Sequence, residues 1–332
     1  MKRIISICLV TVLLTAMTVT YVFASSININ LGAAATRISG ETRYDTSYEI
    51  SRKYGKAGTA FIVNGQNFPD ALAVSPLAAA LNAPVLLSNG KSVTKELSGR
   101  LEDMEATRVY IIGGTAAISS AMETALREKY SVIRLSGKDR FETCIAIARE
   151  LCKYSDPEEC YFTCATNYPD ALAISSVACL NKAPIIYINK NGTLNDSVID
   201  FLNERPIAKA VILGKYGAVS SKAEETLDKF PFTLIHRIGG ADRYETMLLI
   251  NNVYGYLFRS YAICIATGEN FPDALSGSVF AAKVGAPIVL VPSNLAADSK
   301  IVKYVKDSSP DLIYIFGGES AVSNKTLSAF SA

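Results

Sequence analysis

The chain has 332 residues, of which 49% are hydrophobic and 19% charged, with one histidine and no tryptophan. That is long and apolar enough for two or three packed domains, and it contains no low-complexity tract. Setting aside Lys2 and Arg3, which belong to the leader described next, 31 basic residues face 31 acidic ones; this balance argues against a nucleic-acid groove and against adhesion driven by a large positive field.

Residues 1–24 read as a signal peptide. Lys2 and Arg3 precede an uncharged apolar run from Ile4 to Phe23, and Val22-Phe23-Ala24 is a small-x-small cleavage site, which sets the expected mature start near Ser25. No later stretch is long and apolar enough to span a bilayer. The protein is therefore expected to be secreted, meeting the membrane only through the leader before cleavage.

After a short lead-in over 25–34, one pattern occupies the chain three times. TRISGETRY at 36–44, IRLSGKDRF at 133–141 and HRIGGADRY at 236–244 each read as a short strand, a glycine turn and an Arg-aromatic pair opening a helix. The helices are expected over about 44–54, 141–153 and 244–258. A β-branched and aromatic strand follows (59–65, 161–166 and 261–268), and then NFPDAL, NYPDAL or NFPDAL. Pro69, Pro169 and Pro272 suit the first helical position, where a missing N–H costs nothing. Asp70, Asp170 and Asp273, spaced 100 and 103 residues apart, sit favourably against the helix dipole. The helices they open are rich in Ala, Ser and Gly, so neighbouring backbone can approach closely.

The apolar runs PVLLS, PIIYI and PIVLV are too continuous for half-solvated strands and read as strands buried on both faces. A polar helix, a third strand (108–114, 209–215 and 312–318) and a closing helix complete each unit. In the first copy, Ser120 and Glu123 are expected to form a capping box. Strands alternating with helices through short loops predict parallel βαβ units. The fold class is thus α/β: three homologous modules over 35–131, 132–232 and 233–332, each a small Rossmann-like or flavodoxin-like parallel sheet flanked by helices. The first two modules are followed by an RI(S/G)G strand, whereas the third ends in a helix and a spare copy of that strand stands at 35–38. If the strand completes the preceding sheet, the N-terminal copy closes the array into a pseudo-threefold ring, the reading favoured here over a linear array.

Catalysis finds little support. His236 has no counterpart in the sister copies, and neither GxSxG nor HExxH occurs. Of Cys144, Cys152, Cys160, Cys164, Cys179 and Cys264, five lie in the middle module and none repeats, so they read as small buried hydrophobes rather than a disulfide framework or a metal site. No cofactor is expected. Binding candidates are the repeated residues. The turns Gly113-Gly114, Gly214-Lys215 and Gly317-Gly318 would place backbone N–H groups at helix N-termini, where an anion can sit, or serve only as turns. Arg43, Arg140 and Arg243, with Arg37, Arg134 and Arg237 in the preceding strands, would clamp phosphate or carboxylate, or pair internally with Asp70, Asp170 and Asp273. Asn67, Asn167 and Asn270 begin the helix turn. Tyr44, Phe141 and Tyr244, with Phe68, Tyr168 and Phe271, either stack on sugars or fill core.

With RISGxxRY, NxPDALA, AP(I/V)xL and IIGGxxAIS recurring in order, residues 35–332 resemble the cell-wall-binding repeat 2 family of Gram-positive surface proteins. The resemblance implies a triangular assembly of three modules anchored noncovalently to an anionic secondary wall polymer, of the wall-polysaccharide or teichoic-acid kind. It also implies that the family's Ile-Leu-Leu anchoring motif maps onto Val85-Leu86-Leu87, Ile185-Ile186-Tyr187 and Ile288-Val289-Leu290. Leader and modules account for the whole sequence, so a noncatalytic wall-binding protein is expected, the alternative being an amidase-like wall enzyme or a modulator of one. In the middle copy, Tyr187 and Lys215 depart from the motif and weaken the expectation of a site there.

Overall fold

The computed structural model describes residues 32–66, 72–166 and 169–331; the leader and the turn residues Asn67, Phe68, Asp70, Asn167 and Tyr168 lie outside them. The first unit runs β1 (Ala34–Ile38), α1 (Arg43–Arg52), β2 (Thr59–Asn64), α2 (Ser75–Ala80), β3 (Val85–Ser88), α3 (Lys95–Asp103), β4 (Arg108–Ile112), α4 (Ser120–Arg127) and β5 (Ser131–Leu135). The second continues through α5 (Arg140–Leu151), β6 (Glu159–Cys164), α6 (Pro169–Asn181), β7 (Ile185–Ile188), α7 (Asp196–Glu204), β8 (Lys209–Leu213), α8 (Lys222–Leu227) and β9 (Leu234–Ile238). The third comprises α9 (Arg243–Val253), β10 (Ala262–Thr267), α10 (Pro272–Lys283), β11 (Ile288–Val291), α11 (Lys300–Asp307), β12 (Leu312–Phe316) and α12 (Asn324–Ser328).

These strands form three separate four-stranded parallel sheets, ordered β3-β2-β4-β5, β7-β6-β8-β9 and β11-β10-β12-β1. The spare N-terminal strand completes the third sheet: Ala34 to Ile38 pair in parallel with Leu312 to Phe316, while β5 completes the first sheet against β4 and β9 the second against β8. The array is therefore a closed ring. The sequence repeat and the sheet differ in frame by one strand, because the strand that opens each repeat hydrogen-bonds into the preceding repeat's sheet.

At the centre, α2, α6 and α10 pack on one another. From Pro169 to Cys179 every residue of α6 is buried, the signature of a helix with no solvent face. Its Ala and Ser side chains are small enough for three backbones to converge. Gly277 of α10 lets that helix sit close on its own sheet, since a Cβ there would run into the Phe316 ring of β12. Each module's first helix then leans on the previous module's central helix: α1 on α10, α5 on α2 and α9 on α6. The modules interlock in cyclic order, and one continuous apolar core runs through all three. Alternation along the strands assigns the two sheet faces. Phe61 and Val63 point to this shared core, while Ala60 and Ile62 belong to an outer core roofed in part by α3 and α4.

One local expectation is corrected. The cap of α4 is Ser119, not Ser120: its hydroxyl accepts from the Met122 N–H at 3.1 Å and donates to the Lys91 carbonyl at 2.9 Å. The backbone N–H of Ser119 also bonds the Gly90 carbonyl, so tethering to the loop after β3 selects the first of two adjacent serines. Glu123, freed of a capping role, pairs with Arg127 and Arg134.

Candidate clefts at the module junctions

Parallel α/β sheets present their ligand crevice at the carboxyl ends of the strands, where strand order reverses. In these sheets that point lies between the first and third strands of each module. A cavity opens there three times, each time completed by the next module in the ring. The cleft between modules 1 and 2, about 380 Å³, is lined by Asn64, Gln66, Gly114, Lys138, Asp139 and Arg140 among others. That between modules 2 and 3, about 310 Å³, includes Asp170, Gly214, Lys215, Asp242, Arg243 and Thr246. The third, about 430 Å³, lies where the ring closes and includes Glu41, Arg43, Glu269, Asn270, Asp273 and Gly318.

The repeated arginines are fixed within their own modules. Arg43 donates to the Gly65 carbonyl at 2.8 Å and Arg140 to the Ala165 carbonyl at 2.7 Å, and Arg243 donates to that of Gly268. For Arg43 and Arg243 the acidic counterpart comes from the module before. Arg43 faces Asp273, and Arg243 faces Asp170, across the junction. The internal partnership foreseen for Arg and Asp thus exists as an electrostatic one, offset by one module.

Burial dominates the aspartates. Asp170 is 5% exposed, and burial raises its carboxyl above the usual range, partly offset by a hydrogen bond from the Thr246 hydroxyl and by Arg243. Burial pushes Asp273 up to about 6, with Arg43 opposing. A carboxyl tuned this way responds to mild acid.

A threefold threonine lock was missed at the sequence level. Thr46, Thr143 and Thr246 accept the backbone N–H of Gly40, Gly137 and Gly240 at 3.1, 3.1 and 3.0 Å. These glycines are required because a Cβ at each would strike the first helical turn that follows. The signal was present: each repeated arginine is followed three residues later by threonine, in RYDT, RFET and RYET.

The paired-glycine turns resolve into unequal halves. Gly113, Gly214 and Gly317 have φ of 94°, 91° and 97°, the left-handed region that favours glycine. A Cβ on Gly214 or Gly317 would also press on the Asp170 or Asp273 carboxylate. Gly114 and Gly318 meet nothing where a Cβ would go, so Lys215 substitutes in the middle module without strain. Nor do these amides cap a helix. Gly114 accepts from the Ala117 and Ile118 N–H groups in a turn that ends before α4, which corrects the helix-terminus anion site inferred from sequence.

Two further sets prove structural. Val85, Leu86, Leu87, Ile185, Ile186, Tyr187, Ile288, Val289 and Leu290 are no more than 2% exposed; they fill the central core, with Leu86 and Ile186 in the outer cores, and are out of reach of a polymer at the surface. Arg134 ties the Gly113 and Ile118 carbonyls and Glu123. Arg237 does the same for Gly214, Val219 and Glu224, and Arg37 reaches from the N-terminal strand to the Gly317 carbonyl at 2.8 Å. These guanidinia brace the turns. Tyr44, Phe141 and Tyr244 are partly buried against the core and Phe271 is buried. His236 sits on β9, its Nδ1 without a partner, and burial lowers its basicity. Among the described residues, Cys144, Cys160, Cys164, Cys179 and Cys264 are buried and Cys152 is partly exposed. No cluster able to hold a metal occurs among the described residues.

Comparison with known proteins agrees with this architecture. The family model described as cell wall binding domain 2 matches residues 37–123, 134–224 and 237–327. Among curated proteins, the N-acetylmuramoyl-L-alanine amidase LytC of Bacillus subtilis is 30% identical over 292 residues, and the amidase enhancer of the same organism is 29% identical over 293. These alignments cover 87% and 88% of this chain but only 56% and 39% of the relatives. Among solved structures, Cwp6 from Clostridium difficile superposes with a TM-score of 0.80 at 28% identity, covering 90% of this chain and 48% of its own. Cwp8 from the same organism gives 0.78 at 26%, covering 89% and 51%. Three interlocked α/β modules, matched one by one, place the chain in the cell wall binding domain 2 family.

Proposed function

We propose that the protein is a secreted, noncatalytic anchor that holds noncovalently to an anionic secondary polymer of the Gram-positive cell wall, with the module junctions as its binding clefts. The observation that carries this reading is the recurrence of one polar cleft at every junction, each with an arginine supplied by the following module. One such cleft, open and polar, would hold a sugar or phosphate group weakly. Several on a rigid ring meeting a repetitive polymer gain by effective concentration, and avidity rises by roughly 10²–10⁴ over a single site. The leader motif at residues 1–24 supports export.

A pull-down on purified Bacillus subtilis walls, before and after chemical removal of the secondary polymer, tests this reading. Retention on intact walls with loss from stripped walls is expected; equal retention on both would discard it.

A second reading has a specific observation in its favour: the curated relatives are an amidase and an amidase enhancer. A role in wall hydrolysis or its modulation follows from that likeness, and zymography separates the two. A cleared band with this chain alone would make it an enzyme.

A further inference from the structure

The three clefts share their arginine and threonine framework but not their charge. Among the positions that vary, four carry a charge in at least one copy, one of them the helix cap, Asp139, Asp242 or Thr42. The residue after the RISG-type glycine is Lys138 in the 1/2 cleft, Ala241 in the 2/3 cleft and Glu41 in the closure cleft. The residue two places after the first strand is Gln66, Thr166 and Glu269 in the same order, and the second residue of the glycine turn is Gly114, Lys215 and Gly318. Apart from the cap, the clefts on either side of module 2 each gain one positive charge and the closure cleft two negative ones; with the capping Asp139 and Asp242, where the closure cleft has Thr42, the first two are neutral at these positions and the closure cleft stands two charges more negative than either. Asp139 and Asp242 cap the following helices, accepting the N–H groups of Phe141 and Glu142 and of Tyr244 and Glu245 at 2.8–2.9 Å. Lys138, Lys215 and Glu41 are exposed at their rims, the Lys138 ammonium 3.9 Å from Glu142, and the exposed Glu269, which also feels Arg243, accepts the Ser293 N–H at 2.8 Å.

We propose that the polymer is gripped by the two clefts flanking module 2, with Lys138 and Lys215 as the specificity-determining cations, and that Glu41 and Glu269 shut the closure cleft to it. This rests on the anionic-polymer reading above and adds to it an unequal division of labour within the ring. Lys215, which breaks the repeated motif, becomes the gain that equips the middle module rather than the loss that disables it. Sign and proximity suffice for the effect: a like charge beside a bound anion repels it and an opposite charge attracts it, most strongly at low ionic strength.

The test uses the full mature chain and binding isotherms on intact and stripped Bacillus subtilis walls at low and moderate salt. Lys138→Gln and Lys215→Gln should each weaken binding to intact walls, by about threefold to tenfold at low salt and less at higher salt. The Glu41→Gln, Glu269→Gln double variant should strengthen it about threefold or more. All four positions are at cleft rims, and Gln at 269 retains the acceptor for Ser293, so unchanged melting temperatures are expected and serve as the control. If the parent chain binds intact but not stripped walls while the lysine variants bind like it and the glutamate variant gains nothing, the division of labour is overturned and wall anchoring stands. If the parent chain does not distinguish the two wall preparations, the anionic-polymer reading fails and this inference falls with it.

Discussion

The hub and the rim of the ring have diverged differently. At the hub, where α2, α6 and α10 meet, all three copies are rich in Ala, Ser and Gly, which lets three helices converge closely. At the rim, where the clefts open, the copies keep the groups that lock one module to the next and vary those that face the cavity. Geometry restricts the hub, and charge distinguishes the rim. The modules are therefore equivalent as architecture and unequal as binding surfaces.

The hub should show the largest effect of a single change. Gly277→Val would push a branched side chain against the buried Phe316 ring, and overpacking of a dense core costs about 1–3 kcal/mol or more. We expect a loss near the top of that range in urea unfolding; wild-type stability would mean that α10 has room to spare where it sits on β12.

At the rim, the closure cleft should reveal itself through pH. The Asp273 carboxyl stands at about 6 in the fold against an ordinary value of 3.8, so the folded state holds the proton more tightly than the unfolded chain. Its contribution is fully present below the unfolded value and is lost as pH rises through about 6. The full shift corresponds to roughly 3 kcal/mol, and about 2 kcal/mol after allowing for partial exposure. Asp273→Asn should consequently be more stable than the parent at pH 8 and lose that advantage near pH 4. Parallel stability curves for the two would contradict the assignment.

A smaller effect sharpens the comparison between copies. The residue ending each central helix has φ of 47° at Asn82, 48° at Lys182 and 68° at Gly285, the left-handed conformation usual just past a helix. Only lysine is out of place there, so Lys182→Gly should stabilise the protein by about 1 kcal/mol, while Gly285→Lys should cost a similar amount. Thermal melts of the two variants check both signs.

Much of this was legible in the sequence. The triplication, the strand and helix order and the closure of the ring all follow from repeated motifs and from one strand standing at the wrong end of the chain. What escaped was whatever depends on neighbours in space. Nothing local marks Arg43 as the counterpart of Asp273 rather than of Asp70, because the register between modules is set by packing of α1 on α10. The two halves of the glycine turn look alike until φ and the adjacent carboxylate separate them. The Val85-Leu86-Leu87 run carried two incompatible expectations, buried strand from its composition and polymer contact from the family resemblance, and burial decides for the strand.

The central claim is that the junctions hold the polymer, and hydrogen exchange of the full chain with and without anionic polymer released from Bacillus subtilis walls tests it most directly. The account predicts added protection in the loops at 137–143, 214–218 and 240–246, with little change around Glu41 and Glu269. Protection confined to the outward helices α3, α7 and α11, with the junction loops exchanging as before, would contradict it.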